Sequence, residues 1–172
     1  MYKKMEGLNT EYMSNLMKIC TLKPNTFKGV FSCDNFYNNV KNRHVNLFPG
    51  DKYIINLSSS NHPGSHWVAI KINKSKSAEY FDSFGLDCFD KFIKSACEER
   101  NISLVPFKKA IQHPFSQLCG YFCIAYLICR DVNISKTEFA EFFSSQKLKD
   151  NDNIAVHIIN TYIEAIGSLV HS

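Results

Sequence analysis

Cys119 and Gly120 open the run CGYFCIAYLICR, which is apolar almost all round. A cysteine at the head of such a helix has the setting of a nucleophile, because the free N–H groups and dipole of a helix start favour thiolate over thiol. Gly120 would let a substrate backbone come close to the sulfur, and the polar loop before it can supply donors to an oxyanion. The competing reading is a buried structural thiol, the commoner fate of a cysteine on an apolar helix; Cys123 and Cys129, further into the run, are assigned that role. A thiol nucleophile also needs a base whose tautomer is held by a third group. His66 follows Pro63-Gly64-Ser65 at the start of one expected strand, and Asp82 ends the next, in YFDSFG. With only the turn NKSKS between those strands, imidazole and carboxylate would meet at one end of a sheet. Taken singly, each has a plain alternative, a surface histidine beside a turn and an aspartate starting one. Gln112, one loop before Cys119, offers a carboxamide N–H that could hold a developing oxyanion together with the Cys119 amide. By itself it would be a solvent-exposed loop residue. His113 suits the rim of such a pocket, and His44, His62, His157 and His171 have no partner pattern.

The elements that must position these groups are partly legible. Residues 11–20 place Met13, Leu16, Met17 and Cys20 at helical spacing behind Thr10, an expected N-cap. Residues 21–51 are rich in Asn, Pro and Gly and read as loop with a short helix capped by Asp34. Residues 52–58, 66–72 and 78–82 are β-rich runs separated by turn sequences, so a meander is expected. Phe89, Phe92, Ile93, Ala96 and Cys97 form one helical stripe, and residues 101–107 return as a strand. The run from Cys119 is expected as a central buried helix. Two helices, about 136–146 and about 153–166, follow, the last with Ile154, Ile158, Ile159, Tyr162 and Ile166 inward. The fold class is therefore α+β, a small, mostly antiparallel sheet flanked by helices, with one domain over residues 1–172.

Bulk properties narrow the function classes. The chain of 172 residues is 45% hydrophobic and 21% charged, with 14 Phe and 8 Tyr, which describes a globular protein with a filled core. The net charge of +4 is spread as single and paired lysines; a solvated surface is the expectation, with at most weak nucleic-acid affinity. Seven cysteines without paired C-x-x-C spacing signal neither a disulfide framework nor a zinc site. The N-terminus lacks a secretory pattern and no apolar stretch reaches about 18 residues. An intracellular or virion-interior protein, not secreted and without membrane contact, is expected. The sequons at Asn56, Asn73, Asn101 and Asn133 would then go unused.

Together, His66-Trp67, then D-S-F-G (82–85), then Q-H-P-F-S-Q-L-C-G-Y-F-C (112–123) resemble the adenovirus maturation protease family, its relatives in Maverick/Polinton elements and virophages, and more distantly the deSUMOylating proteases of the same clan. Gln112 lies seven positions before Cys119, as in the adenovirus family, and Leu118 stands where the deSUMOylases have Asp. FKGVFSCDNF (27–36) is similar to the N-terminal region of the viral and transposon enzymes. The resemblance implies a papain-like clan CE fold, with Cys119 as nucleophile, His66 as base, Asp82 as orienting acid, Gln112 as oxyanion donor and Trp67 beside the site. It implies a cysteine endopeptidase that cuts viral capsid or core precursors next to small residues, Gly-Gly or Gly-X, in the host cell and virion, and a monomer. Asp82 departs from the Glu typical of the adenovirus enzyme, though the deSUMOylases use Asp. The family's DNA and peptide activation is not carried over, since neither Cys97 nor Cys88 aligns with the cysteine that tethers the peptide; no cofactor is expected. Two alternatives stay open: a protease or isopeptidase for ubiquitin-like tails, and an inactive binding relative.

Overall fold

The computed structural model describes residues 7–20 and 25–170. The first helix, α1 (Thr10–Cys20), buries Met13, Leu16, Met17 and Cys20, the stripe their spacing predicts. Its cap is Asn9 rather than Thr10: Asn9 Oδ1 accepts the Tyr12 N–H at 2.8 Å, and Thr10 is already helical.

The stretch expected to be irregular is largely ordered. Part of it, residues 21–24, lies outside the described residues, but Phe27–Ser32 form strand β1 and Cys33–Lys41 form α2. β1 was illegible because FKGVFS has no alternation, and its register slips between Phe27 and Gly29. Asp34 lies in the first turn of α2, one residue past the point where it would cap, and Ser32 holds the cap position. There Asp34 accepts the Ser60 N–H at 2.8 Å and the Ser60 hydroxyl at 2.6 Å. Burial opposes its ionisation, yet these hydrogen bonds hold its pKa down to about 2.

Strands β2 (Lys52–Asn56), β3 (Trp67–Ile72) and β4 (Ser77–Phe81) form the expected antiparallel meander. The outer strands, β1 and β5 (Ser103–Pro106), pair in parallel with β2 and β4, giving the order β1-β2-β3-β4-β5. Parallel neighbours need a crossover; α2 supplies it between β1 and β2, and α3 (Lys91–Glu98) between β4 and β5. α3 buries Ile93, Ala96 and Cys97, and Asp90 caps it through the Ile93 N–H. Phe89, placed on that stripe by spacing, precedes the helix and is 65% exposed.

Alternate strand residues face two apolar cores, so the sheet is covered on both sides. Tyr53, Ile55, Val68, Ile70 and Tyr80 pack with α2 and α3. Ile54, Ala69 and Phe81 pack with α1, α4 (Cys119–Asp131), α5 (Lys136–Glu141) and α6 (Asn151–Val170). α5 stops short of residue 146. α6 starts earlier than expected and buries Ala155 and Ile159, with Ile154, Ile158 and Tyr162 against the core and Ile166 outside it. α4, buried along almost its whole length, is tied to the sheet at its far end. Glu79 of β4 accepts from Tyr126 Oη at 2.7 Å and from Arg130 Nε at 2.8 Å, and Asp131 pairs with the buried Lys52. These links fix where the helix begins, and so where Cys119 stands.

Candidate active site

Two antiparallel strands bring the first pair of predicted residues together. His66 lies one residue before β3 and Asp82 one residue after β4, at the same end of the sheet. Nε2 of His66 is 2.9 Å from Oδ1 of Asp82, which is fully buried. The same oxygen accepts the Phe84 N–H at 2.8 Å. The β3–β4 register, extended past the ladder, sets His66 opposite Phe84, and their rings stack at 4.8 Å with 24° between planes. With Nε2 taken by the carboxylate, Nδ1 is the nitrogen left for the Cys119 thiol. Burial alone would lower the His66 pKa, but hydrogen bonding to Asp82 and to Cys119, with the charges of both, raises it to about 9. The imidazolium form is therefore strongly favoured.

Cys119 is the first residue of α4, 7% exposed, on the wall of a cleft of about 850 Å³. Leu118 at the cap position covers the first amides with no side-chain acceptor. His66, Trp67, Phe84 and Gln112 line the same cleft. Burial pushes up the other thiols: Cys20, Cys33 and Cys88 to about 11, Cys97 and Cys129 to about 12, and Cys123 higher still. Cys123, one turn below Cys119, points its sulfur at the Trp67 carbonyl at 3.3 Å. The structural role expected of Cys123 and Cys129 matches this burial.

Gln112 is not a solvent-exposed loop residue; it is 1% exposed. Its Oε1 accepts the Ser83 hydroxyl, and its Nε2 donates to the Ser116 carbonyl at 2.9 Å. One of its two amide hydrogens is thus in use, and the second is available at the cleft wall. Gly120 is a correction. A side chain there would meet Met13 Sδ at 2.9 Å and Leu8 Cβ at 3.3 Å, so the glycine admits α1 against α4 rather than a substrate against the sulfur. His113 sits on the rim, as expected, its Nδ1 accepting the Phe115 N–H at 3.2 Å.

Several participants escaped the sequence reading. Asn56 Oδ1 accepts the N–H groups of Ser58 at 2.9 Å and Ser65 at 3.1 Å, drawing the β2–β3 loop onto the strand end just before His66. Ser83 and Phe84 were visible only as neighbours of Asp82. Gly85 has φ +71° and closes the turn through its N–H to the Asp82 carbonyl at 2.9 Å. A Cβ there would lie 2.7 Å from the Ala110 nitrogen, so only glycine lets the loop carrying Gln112 run so close. The D-S-F-G signature was the signal available, but only coordinates assign a task to each of its residues. Among the described residues there is no cluster of three or more metal-ligating side chains, and no helix is long and apolar enough to cross a membrane.

No family model and no curated protein matches the chain. Solved structures do. The pS273R protease of ASFV superposes with TM-score 0.55 at 18% identity over 86% of this chain and 67% of that one. The SUMO protease Ulp1 gives 0.52 at 18% identity, over 91% of this chain and 79% of its own. The central domain of the uncharacterized Lpg1148 protein from Legionella pneumophila gives 0.50 at 16% identity, over 98% of this chain and 100% of its own. This chain spans about two thirds of the ASFV protein. The fold is thus that of the clan CE cysteine proteases, as the resemblance implied.

Proposed function

We propose that the chain is a cysteine endopeptidase in which Cys119 attacks an amide carbonyl and His66, oriented by Asp82, manages the protons. The observation that carries this reading is the imidazole bonded at 2.9 Å to a buried carboxylate and interacting through its other side with a thiol at a helix head, all on one cleft. In the proposed cycle the Cys119 sulfur bonds to the carbonyl carbon. The oxygen, now negative, is held by the free Gln112 Nε2–H and the Cys119 N–H. His66 gives its proton to the departing amine, leaving a thioester. Neutral His66 then takes a proton from water, whose oxygen displaces the sulfur and releases the acid. Side chains and water suffice, and we assign no metal or organic cofactor.

The finer reading follows the resemblance and the likeness to the ASFV protease. The substrates would be structural precursors of a virus or virus-like element, cut beside small residues such as Gly-Gly or Gly-X in the infected cell or virion. The enzyme would act as a monomer, with at most weak nucleic-acid contact. The test is incubation with candidate precursors encoded beside this gene, followed by sequencing of new N-termini, with Cys119→Ala as control. New termini after small residues, absent with the variant, are expected; none in any precursor would remove the reading. Fluorophore conjugates of ubiquitin-like proteins belong in the same panel, because a preference for them by orders of magnitude over short Gly-Gly peptides would move the assignment to a modifier protease.

A further inference from the structure

Asp82 and Ser83 are consecutive, yet they serve opposite sides of the cleft. Asp82 takes the His66 ring, while Ser83, fully buried, faces the loop that leads to the nucleophile. The Ser83 hydroxyl donates to Gln112 Oε1, and the Ser83 carbonyl accepts the N–H groups of Ile111 at 2.9 Å and Gln112 at 3.0 Å. We infer that Ser83 is a positioning residue that sets the carboxamide of Gln112 as oxyanion donor, so that one strand end orients both the base and the donor. The inference rests on the protease reading above.

The chemistry of the two amide ends makes the case. A carboxamide has nearly the same shape either way round, so its useful orientation must come from partners that tell oxygen from nitrogen. The Ser116 carbonyl can only accept, and requires nitrogen on its side. The hydroxyl of Ser83 satisfies the buried oxygen from the other side. Of the two restraints, that of Ser83 is the stiffer. It projects from the end of a central strand, whereas Ser116 lies in the loop itself, tied to α6 through its hydroxyl and Asp152 Oδ1 at 2.8 Å. Without the Ser83 hydroxyl, Gln112 Oε1 is buried with no donor, and the amide gains by turning away. An oxygen turned toward the developing oxyanion would repel it.

Ser83→Ala in the full chain is expected to lower kcat about tenfold, the scale of one lost hydrogen bond, with KM within about twofold. Ser83→Cys, close in size with a weaker donor, should fall between. The decisive comparison is with Gln112→Ala: in that background Ser83→Ala should cost nothing more, since the group it positions is gone. A further tenfold loss there would overturn the inference. Alkylation of Cys119 by iodoacetamide, which forms no oxyanion, should keep its rate and pH profile in Ser83→Ala. A shifted profile would mean that Ser83 acts through Asp82 instead, and would also overturn it. The side-chain amide signals of Gln112 in nitrogen NMR give a readout independent of turnover. They should move and lose exchange protection in Ser83→Ala, and unchanged signals would refute the anchoring. If the wild-type chain cleaves nothing, the oxyanion role falls with the protease reading, while those signals still decide whether Ser83 holds Gln112.

Discussion

Oδ1 of Asp82 accepts from both His66 Nε2, at 2.9 Å, and the Phe84 amide, at 2.8 Å, while Oδ2 is buried without a partner among the described residues. A carboxylate held this way cannot rotate without breaking both bonds. The imidazole it faces is therefore fixed in plane and tautomer, and its ring is backed by Phe84.

The pH dependence follows from that pair. The folded His66 pKa of about 9 lies above the unfolded value of 6.5, so the interaction stabilises the fold fully below about 6.5 and is lost as pH rises through about 9. The denaturation midpoint of wild type relative to His66→Ala should thus shrink between those limits. Activity that needs the imidazolium should show an alkaline limb near 9. Asp82→Asn retains an acceptor oxygen but no charge, and should move that limb down while reducing kcat less than His66→Ala does. A limb that stays in place would detach Asp82 from the base.

Alkylation separates the cysteines. Iodoacetamide at neutral pH should modify Cys119 first, with the site mapped by mass spectrometry, because burial holds the other thiols protonated. If Cys119 reacts no faster than Cys20 or Cys33, the binding-module reading gains.

Gln112→Ala should reduce kcat about 10²–10³-fold, the usual cost of losing an oxyanion donor. A rate within twofold of wild type would show that the Cys119 amide and other donors suffice.

Gly120→Ala should act on packing rather than on substrate. The new methyl presses on Leu8 and the flexible end of Met13, so a loss of about 1 kcal/mol in stability with unchanged KM is expected from urea titration and steady-state kinetics. A raised KM with intact stability would restore the role in substrate approach.

Glu79→Ala should be among the most damaging changes away from the cleft. It strands the buried Tyr126 hydroxyl and strips Arg130 of two bonds, at a cost of about 3 kcal/mol. Thermal unfolding would measure it, and wild-type stability would argue that α4 is held by apolar packing alone.

What the sequence determined by itself was the set of chemical groups and their order: a histidine at a turn-to-strand boundary, an aspartate at the next strand end, a glutamine before a cysteine heading an apolar run. Those are local signals, carried by spacing and turn chemistry. The meander and the buried helix were legible for the same reason. Tertiary structure decided what depends on contacts between distant segments. β1 is a strand because β2 pairs with it, not because FKGVFS alternates, and both parallel edges depend on crossover helices. Gly120 serves α1, a helix about a hundred residues earlier in the chain. Ser83 and Asn56 looked like turn residues until Gln112 and Ser65 closed on them across the fold. A hydrogen bond between residues far apart in sequence has no periodicity to betray it, so the groups that orient the chemistry stayed hidden behind the groups that perform it.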